Sequence, residues 1–308
     1  MAFWRNQLSG PTDPIRDANW PAGPRKGFFT DTSICIGCKA CEVACKEWNR
    51  IPTRTASDGG GELSGRSYDN SGGLGANTWR HVAFIEVGAL RKAEPVEAPA
   101  DDKPVRWLMS SDVCKHCTHA GCLDVCPTGA LFRSEFGTVV VQADVCNGCG
   151  YCVAACPFGV IERREKGIVQ IGDGTTEPIP NGGVAQKCTL CYDRLRDGQT
   201  PACAQTCPTT SISFGDHDDM VAKARARLAV LHAQGQTEAR LYGANPNDGV
   251  GGTGSVFLLM DEPEAYGLPP DPVVTTRDLP RMFTLAGMAG TAMIGVALSV
   301  FAAFGRMR

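Results

Sequence analysis

An excess of charge of one sign is what this 308-residue sequence lacks first: 30 Lys and Arg against 33 Asp and Glu leave a formal net charge of −3. That balance excludes a strongly basic nucleic-acid binder. Histidine is scarce, with five in all (His81, His116, His119, His217 and His232). No paired acid–base or nucleophile pattern accompanies them, so the chain offers no convincing active site of its own. Aromatics are few, at 7%. Residues 1–26 hold Trp4, Trp20, Pro11, Pro14, Pro21 and Pro24 without a hydrophobic run, which matches neither a Sec nor a twin-arginine signal. They read as an extended arm whose tryptophans suit packing on a partner. At 43% hydrophobic and 20% charged the chain as a whole is globular rather than disordered, and the length carries a soft expectation of two domains.

What is present in quantity is cysteine, 16 in all, with 36 glycines and 20 prolines. The cysteines form four groups with none left over. Cys35, Cys38, Cys41 and Cys45 are spaced C-x2-C-x2-C-x3-C. Cys114, Cys117, Cys122 and Cys126 are spaced C-x2-C-x4-C-x3-C and followed by Pro127. Cys146, Cys149, Cys152 and Cys156 repeat the first spacing before Pro157, and Cys188, Cys191, Cys203 and Cys207 precede Pro208. A C-x2-C-x2-C loop curls three thiolates onto one face of a cubane, and a later Cys, usually before Pro, ligates the other cluster of a pair. The first group departs from this, since Lys46 follows Cys45. Disulfides suit these short pairs poorly. Structural zinc usually takes two C-x2-4-C pairs, often with His, and needs no Cys-Pro. The reading is four [4Fe–4S] clusters.

Along the chain, Gly27–Thr30 reads as a short strand entering the first cysteine loop. Residues 53–77 are Gly/Ser-rich and read as a loop insertion. His81–Val87 and Val105–Met109 read as strands. Ala130–Arg133, a turn at Phe136-Gly137 and Thr138–Val141 form a hairpin. Ser211–Phe214 repeats the strand that follows Cys-Pro, so the chain is an internal repeat of cysteine loop, short helix and strand. Asp216–Gly235 is the best soluble helix, with Val221, Ala224, Leu228 and Leu231 on one face. Gly249–Gly254 lacks the GK[ST] of a phosphate loop and reads as a loop before the strand Val256–Met260. Residues 262–280 are Pro-rich and read as a semi-rigid spacer. Met282–Phe304 then runs about 23 residues without a charge, roughly 34 Å as a helix and long enough for a bilayer. Arg277 and Arg281 precede it and Arg306 and Arg308 follow it, so flanking charge does not orient it. Gly287, Thr291, Gly295, Ser299 and Ala303 form a small-residue stripe suited to another membrane helix. The expected division is an arm over 1–26, a cluster domain over 27–261, a linker over 262–280, a transmembrane helix over 281–305 and a basic tail over 306–308.

The stretch from Cys35 through Cys45 to Lys46-Glu47-Trp48-Asn49 resembles the first cluster motif of the iron–sulfur (beta) subunit of membrane-bound respiratory formate dehydrogenase. So do Tyr68-Asp69-Asn70, Cys149-Gly150-Tyr151-Cys152, Cys156-Pro157-Phe158 and Lys187-Cys188-Thr189-Leu190-Cys191. Gly198–Cys203, Gly249–Thr253, Gly267-Leu268-Pro269 and the terminal apolar helix extend the likeness from about Phe29 onward. The four-cluster layout alone is shared with subunits of sulfur-compound and nitrate reductases and some hydrogenases. Nitrate reductase relatives replace one ligand, whereas all sixteen are Cys here.

The resemblance implies an α+β fold of tandem ferredoxin-like modules binding four [4Fe–4S] clusters, plus one C-terminal transmembrane helix. It implies crossed ligation: Cys35, Cys38, Cys41 and Cys207; Cys188, Cys191, Cys203 and Cys45; Cys114, Cys117, Cys122 and Cys156; Cys146, Cys149, Cys152 and Cys126. It implies a non-catalytic electron-transfer subunit of an oxidoreductase complex. The expected donor is a molybdenum- or tungsten-pterin catalytic (alpha) subunit oxidising formate, and the acceptor a membrane haem b (gamma) subunit that reduces quinone. The expected place is the cell membrane, anchored in the bilayer by the single C-terminal pass, with the cluster domain extracytoplasmic and no nucleic acid bound. The rival in the same class is the beta subunit of a membrane hydrogenase or sulfur-compound reductase. The rival of another class is a membrane-anchored structural zinc scaffold. His116 and His119, inside the second cysteine loop, read either as tuning groups or as a polar loop. Lys39 and Lys187 read either as offsets to cluster charge or as solvated side chains.

Overall fold

A computed structural model describes residues 23–52, 69, 71–87, 106–170 and 176–305. The arm up to residue 22, most of the Gly/Ser-rich insertion and the tail at 306–308 lie outside them.

The first strand, β1 (Lys26–Asp31), is buried along nearly its whole length. The next two, β2 (Arg80–Val87) and β3 (Arg106–Val113), form an antiparallel hairpin pairing Arg80 with Val113 and Val87 with Arg106. A second hairpin joins β4 (Leu131–Arg133) to β5 (Val139–Val141). Two small ribbons pair β6 (Glu162–Arg163) with β9 (Ala185–Gln186), and β7 (Ile168–Gln170) with β8 (Thr176–Pro178). The chain closes with β10 (Ile212–Asp216), β11 (Arg240–Tyr242) and β12 (Ser255–Leu259). These three join β1 in a four-stranded sheet of order β10-β1-β12-β11. β1 runs antiparallel to β10 and parallel to β12.

That sheet is covered on both faces, which is why β12 is a nearly continuous apolar run and β1 is buried from Gly27 to Asp31. Phe28, Phe257 and Leu259 face a core that also contains Cys41, Cys114, Cys188 and Cys203. Their neighbours Phe29, Val256 and Leu258 point the other way, onto Val221, Ala224 and Leu231 of a long helix. A third core gathers Leu123, Leu131, Val139, Ile161 and Cys152 around the remaining cysteine loops.

Helices follow the cysteines. The first, α1 (Ala40–Trp48), has nine residues. Three single-turn helices, α2 (Gly121–Asp124), α3 (Tyr151–Ala154) and, after α4 (Tyr192–Arg196), α5 (Ala202–Gln205), each stop just short of a Cys-Pro pair. Proline disfavours helical backbone at the residue before it, so Pro127, Pro157 and Pro208 end these turns. Lys46 in the equivalent place lets α1 continue.

The expected soluble helix is α6 (His217–Ala233), with Asp218 and Asp219 in its first turn, where they complement the helix dipole. Its cap residue Asp216 makes no capping bond and instead pairs with Lys26. Gly235 ends the helix at φ +85°. Its N–H donates to the His232 carbonyl at 3.0 Å and the Gln236 N–H to the Leu231 carbonyl at 2.9 Å, a Schellman closure that favours glycine.

The Pro-rich segment does more than space the chain. Leu268 and Val274 are buried, Tyr242 Oη donates to the Pro269 carbonyl at 2.6 Å, and Thr276 Oγ1 donates to Asp124 at 2.5 Å. The glycine run at 249–254 buttresses the second cysteine loop: Asp248 Oδ1 accepts its Val250 and Gly252 N–H groups at 3.0 and 2.8 Å, and its carbonyls accept from Thr118 and His119. The last helix, α7 (Leu279–Gly305), spans 27 residues. Its segment Leu279–Phe304 is apolar and long enough to cross a membrane, with none of its most apolar window buried in the protein.

Candidate metal centres

Each C-x2-C turn places a left-handed residue immediately before its second cysteine: Gly37 (φ +67°), His116 (+47°), Gly148 (+74°) and Leu190 (+61°). The four loops thus share one backbone device, which turns the pair of thiols to one side. The third and fourth cysteines lie on or just beyond the helices, and the helices pack in pairs, α1 on α5 and α2 on α3.

This pairing mixes the groups. One cavity of about 290 Å³ is lined by Cys35, Cys38, Cys41 and Cys207, with Val82, Ser111 and Ile212 closing its sides. Another, of about 360 Å³, is lined by Cys114, Cys117, Cys122 and Cys156, with Val139, Phe158 and Ile161. The other eight sort themselves by proximity. Burial, then the neighbouring thiols of Cys188, Cys203 and Cys191, push the Cys45 thiol well up. Burial, then Cys146, Cys126 and Cys149, push Cys152 up to about 11. The two cavities thus bring Cys207 to Cys35, Cys38 and Cys41, and Cys156 to Cys114, Cys117 and Cys122, while Cys45 lies near Cys188, Cys191 and Cys203, and Cys126 near Cys152.

Taken as the resemblance implies them, each set adjoins the next. α1 carries Cys41 of the first set and Cys45 of the second, and Cys203 and Cys207 at α5 link the same two. Cys188 of the second set feels Cys114 of the third. α2 and α3 link the third set to the fourth through Cys122 with Cys126 and Cys152 with Cys156. The two ends are open, since Cys38 and Cys149 are exposed, whereas Cys45, Cys188, Cys191 and Cys203 are all buried.

The donor sets fit iron–sulfur clusters. Thiolate is the ligand form, and burial opposes it: Cys41 and Cys191 are pushed to about 11 and Cys122 to about 12. Four thiols crowded in apolar walls ionise together only around a multiply charged cation. Among the described residues no three His, Cys, Asp or Glu side chains converge on one point as a single metal ion requires. Thiols spread around a cavity without converging on one point suit a cubane better than a zinc ion.

Buried cations run beside the sets. Arg80, Lys115 and Lys187 are among the most deeply buried large side chains. Lys115 Nζ donates to the Val113 carbonyl at 3.0 Å, pairs with Asp112, and lies 4.9 Å from the Phe257 ring centroid. Lys187 is buried rather than solvated, and its Nζ donates to the Cys188 carbonyl at 2.9 Å. Lys39 is instead taken up by Glu42 and Asp69 at 3.3 and 3.2 Å. The two loop histidines part company. His119 is exposed. His116 is buried, its Nδ1 accepts the Val139 N–H at 3.1 Å, and its Nε2 has no partner. Burial, then the charges of Lys187 and Arg25, hold its imidazole well below the ordinary range, so it is neutral.

Arg80 and Ser111 lie outside every cysteine motif, and sequence reasoning missed them. The signal available was parity: Arg80 shares a strand face with Val82, which points inward.

Comparison with known proteins gives concordant results. Residues 34–130 and 105–217 each match a family described as a 4Fe-4S dicluster domain, and together they contain all sixteen cysteines. The nitrate-inducible formate dehydrogenase iron-sulfur subunit of Escherichia coli (strain K12) is 42% identical over 276 residues, 88% of this chain and 81% of the relative. The formate dehydrogenase iron-sulfur subunit of Haemophilus influenzae is 39% identical over 273 residues, 87% of this chain and 76% of the relative. The thiosulfate reductase electron transfer subunit of Salmonella typhi is 35% identical over 190 residues, 61% of this chain and 74% of the relative.

Proposed function

This chain belongs to the family of formate dehydrogenase iron–sulfur subunits, and on that premise we propose that it conducts electrons from a formate-oxidising catalytic subunit to a quinone-reducing membrane subunit. It is a subunit of the four-cluster type, and the crossed cysteine sets are its ligands. The clusters, when bound, take up and release single electrons. The observation that supports the reading is the gradation of burial, with Cys38 and Cys149 exposed and Cys45, Cys188, Cys191 and Cys203 all buried.

The protein's part is positioning, water exclusion and charge balance. Helix pairs α1–α5 and α2–α3 set the separation within each pair of sets. Val82 and Ile212 wall the first cavity on its inner side, and Val139, Phe158 and Ile161 the second, which shields the buried sulfurs from water. Lys115 and Lys187 supply fixed positive charge where thiolates are buried.

The donor in this reading carries a molybdenum or tungsten pterin and the acceptor haem b, with the cluster domain on the extracytoplasmic side of the cell membrane. Helix α7 is the anchor. Its 27 residues give about 40 Å of helix against a hydrocarbon core of about 30 Å. Phe283, Leu285, Met293, Ile294 and Phe301 are all exposed along it. The hydroxyls of Thr291 and Ser299 donate to the Met288 and Gly295 carbonyls, both at 2.8 Å, so they demand no partner outside the helix.

The test is anaerobic addition of formate to the natively purified membrane complex, followed by cluster absorbance and low-temperature EPR. Formate is expected to reduce the clusters as far as dithionite does. Reduction by dithionite and not by formate would send the search for the donor elsewhere, first to sulfur-compound reductases.

A further inference from the structure

Arg80 is left over when the cysteines and their apolar walls are accounted for. It opens β2 and is 1% exposed. Burying a guanidinium without a partner is costly, yet no carboxylate pairs with it among the described residues. Nη1 donates to the Ser111 carbonyl at 3.2 Å and to Ser111 Oγ at 2.9 Å. The Phe28 ring lies under the guanidinium, 4.9 Å from its carbon. Nε and Nη2 are buried with no partner at all.

The charges around it are sulfur. Burial alone would lower the guanidinium's pKa, but the thiols of Cys203, Cys41, Cys188 and Cys45 outweigh burial and hold it above its ordinary value. Cys41 belongs to the first set; the other three belong to the second. Ser111 Oγ, held by Arg80, is also 3.2 Å from Cys41 Sγ. One cation thus faces two sets, with two donors unspent and a hydroxyl relayed to a cluster sulfur.

We propose that Arg80 is the shared counter-charge of the first two clusters, placed between them to raise the reduction potential of both. The proposal rests on the ligand sets given above. Reduction adds one negative charge to a cluster, and a fixed cation in a poorly polarisable interior favours that form. Salt does not screen a pair this deeply buried. Free N–H donors near cluster sulfur act in the same direction. Arginine suits the place better than lysine, because it stays charged when buried and presents five donors in a rigid plane.

The experiment is an EPR-monitored redox titration of the intact membrane complex carrying Arg80→Met or Arg80→Lys, with iron determined on the same samples. Four clusters in the unaltered complex test the ligand sets; the midpoints test Arg80. With full iron content, Arg80→Met is expected to move two of the four signals negative by at least tenfold in the reduction equilibrium, which is 59 mV for a one-electron centre. One of those two must be the signal that Cys207→Ser abolishes. The other two signals are expected to stay within twofold, and Arg80→Lys to recover at least half the shift. Four unmoved midpoints, a uniform shift of all four, or no recovery with lysine would overturn the proposal. If Arg80→Met does not assemble, Ser111→Ala decides: it keeps the charge and the bond to the residue 111 carbonyl but removes the hydroxyl between Arg80 and Cys41, and the signal that Cys207→Ser abolishes must move negative while the two signals of the other pair stay in place. No movement there would equally overturn it.

Discussion

Before the second cysteine of each of the four groups the backbone is left-handed, and only two of those four residues are glycine. At Gly37 the reason is visible, since an added Cβ would lie 2.8 Å from the Phe84 ring and 2.9 Å from the Met109 sulfur. Gly37→Ala combines the left-handed penalty of about 1–2 kcal/mol with overpacking of about 1–3 kcal/mol. Thermal unfolding of the assembled subunit should show a loss in that range. His116 and Leu190 carry the same left-handed φ without glycine's freedom, and both are held by burial. The crossed ligand sets are testable at single residues too. Cys207→Ser should remove the cluster of the Cys35 loop and spare that of the Cys188 loop, as read by EPR and iron content. Loss of the Cys188-loop cluster instead would contradict the sets.

Among the elements, the central sheet and its helix show how one strand serves two cores. Leu258 is fully buried on the α6 side of β12, while Phe257 and Leu259 face the cysteines. Leu258→Ala should cost about 2–5 kcal/mol in unfolding stability. It should leave the cluster EPR spectrum unchanged below the melting temperature, because the cavity opens on the far face. The helices make a complementary point. Pro127, Pro157 and Pro208 were legible as the marks of a fourth ligand, and the same prolines set the single-turn length of α2, α3 and α5. The most apolar stretch of helix α7 is buried against nothing else in the protein. Ending the chain before Leu279 should leave the cluster spectrum intact and release the subunit from membranes, as judged by carbonate extraction. Retention at the full-length level would show that partner subunits alone hold it.

For the molecule as a whole, the number and kind of cofactor were determined by the sequence itself. Sixteen cysteines in four short motifs are local chemistry: a C-x2-C turn converges its thiols whatever surrounds it. The strands at β1, β2, β10 and β12 and the helices α6 and α7 were legible for the same reason, since their periodicity is local. The tertiary structure decided what depends on distant segments meeting. It placed Cys207 with Cys35 and Cys156 with Cys114 in single cavities, and packed the Pro-rich segment onto the body through Leu268 and Val274. It also buried Arg80 among thiols from separate stretches of chain. Strand parity places it on the inward face with Val82, but an arginine opening a strand is ordinarily solvated, and no local pattern says what would surround it. What makes this one different is the field of sulfur around it, and that field exists only once the loops have packed together.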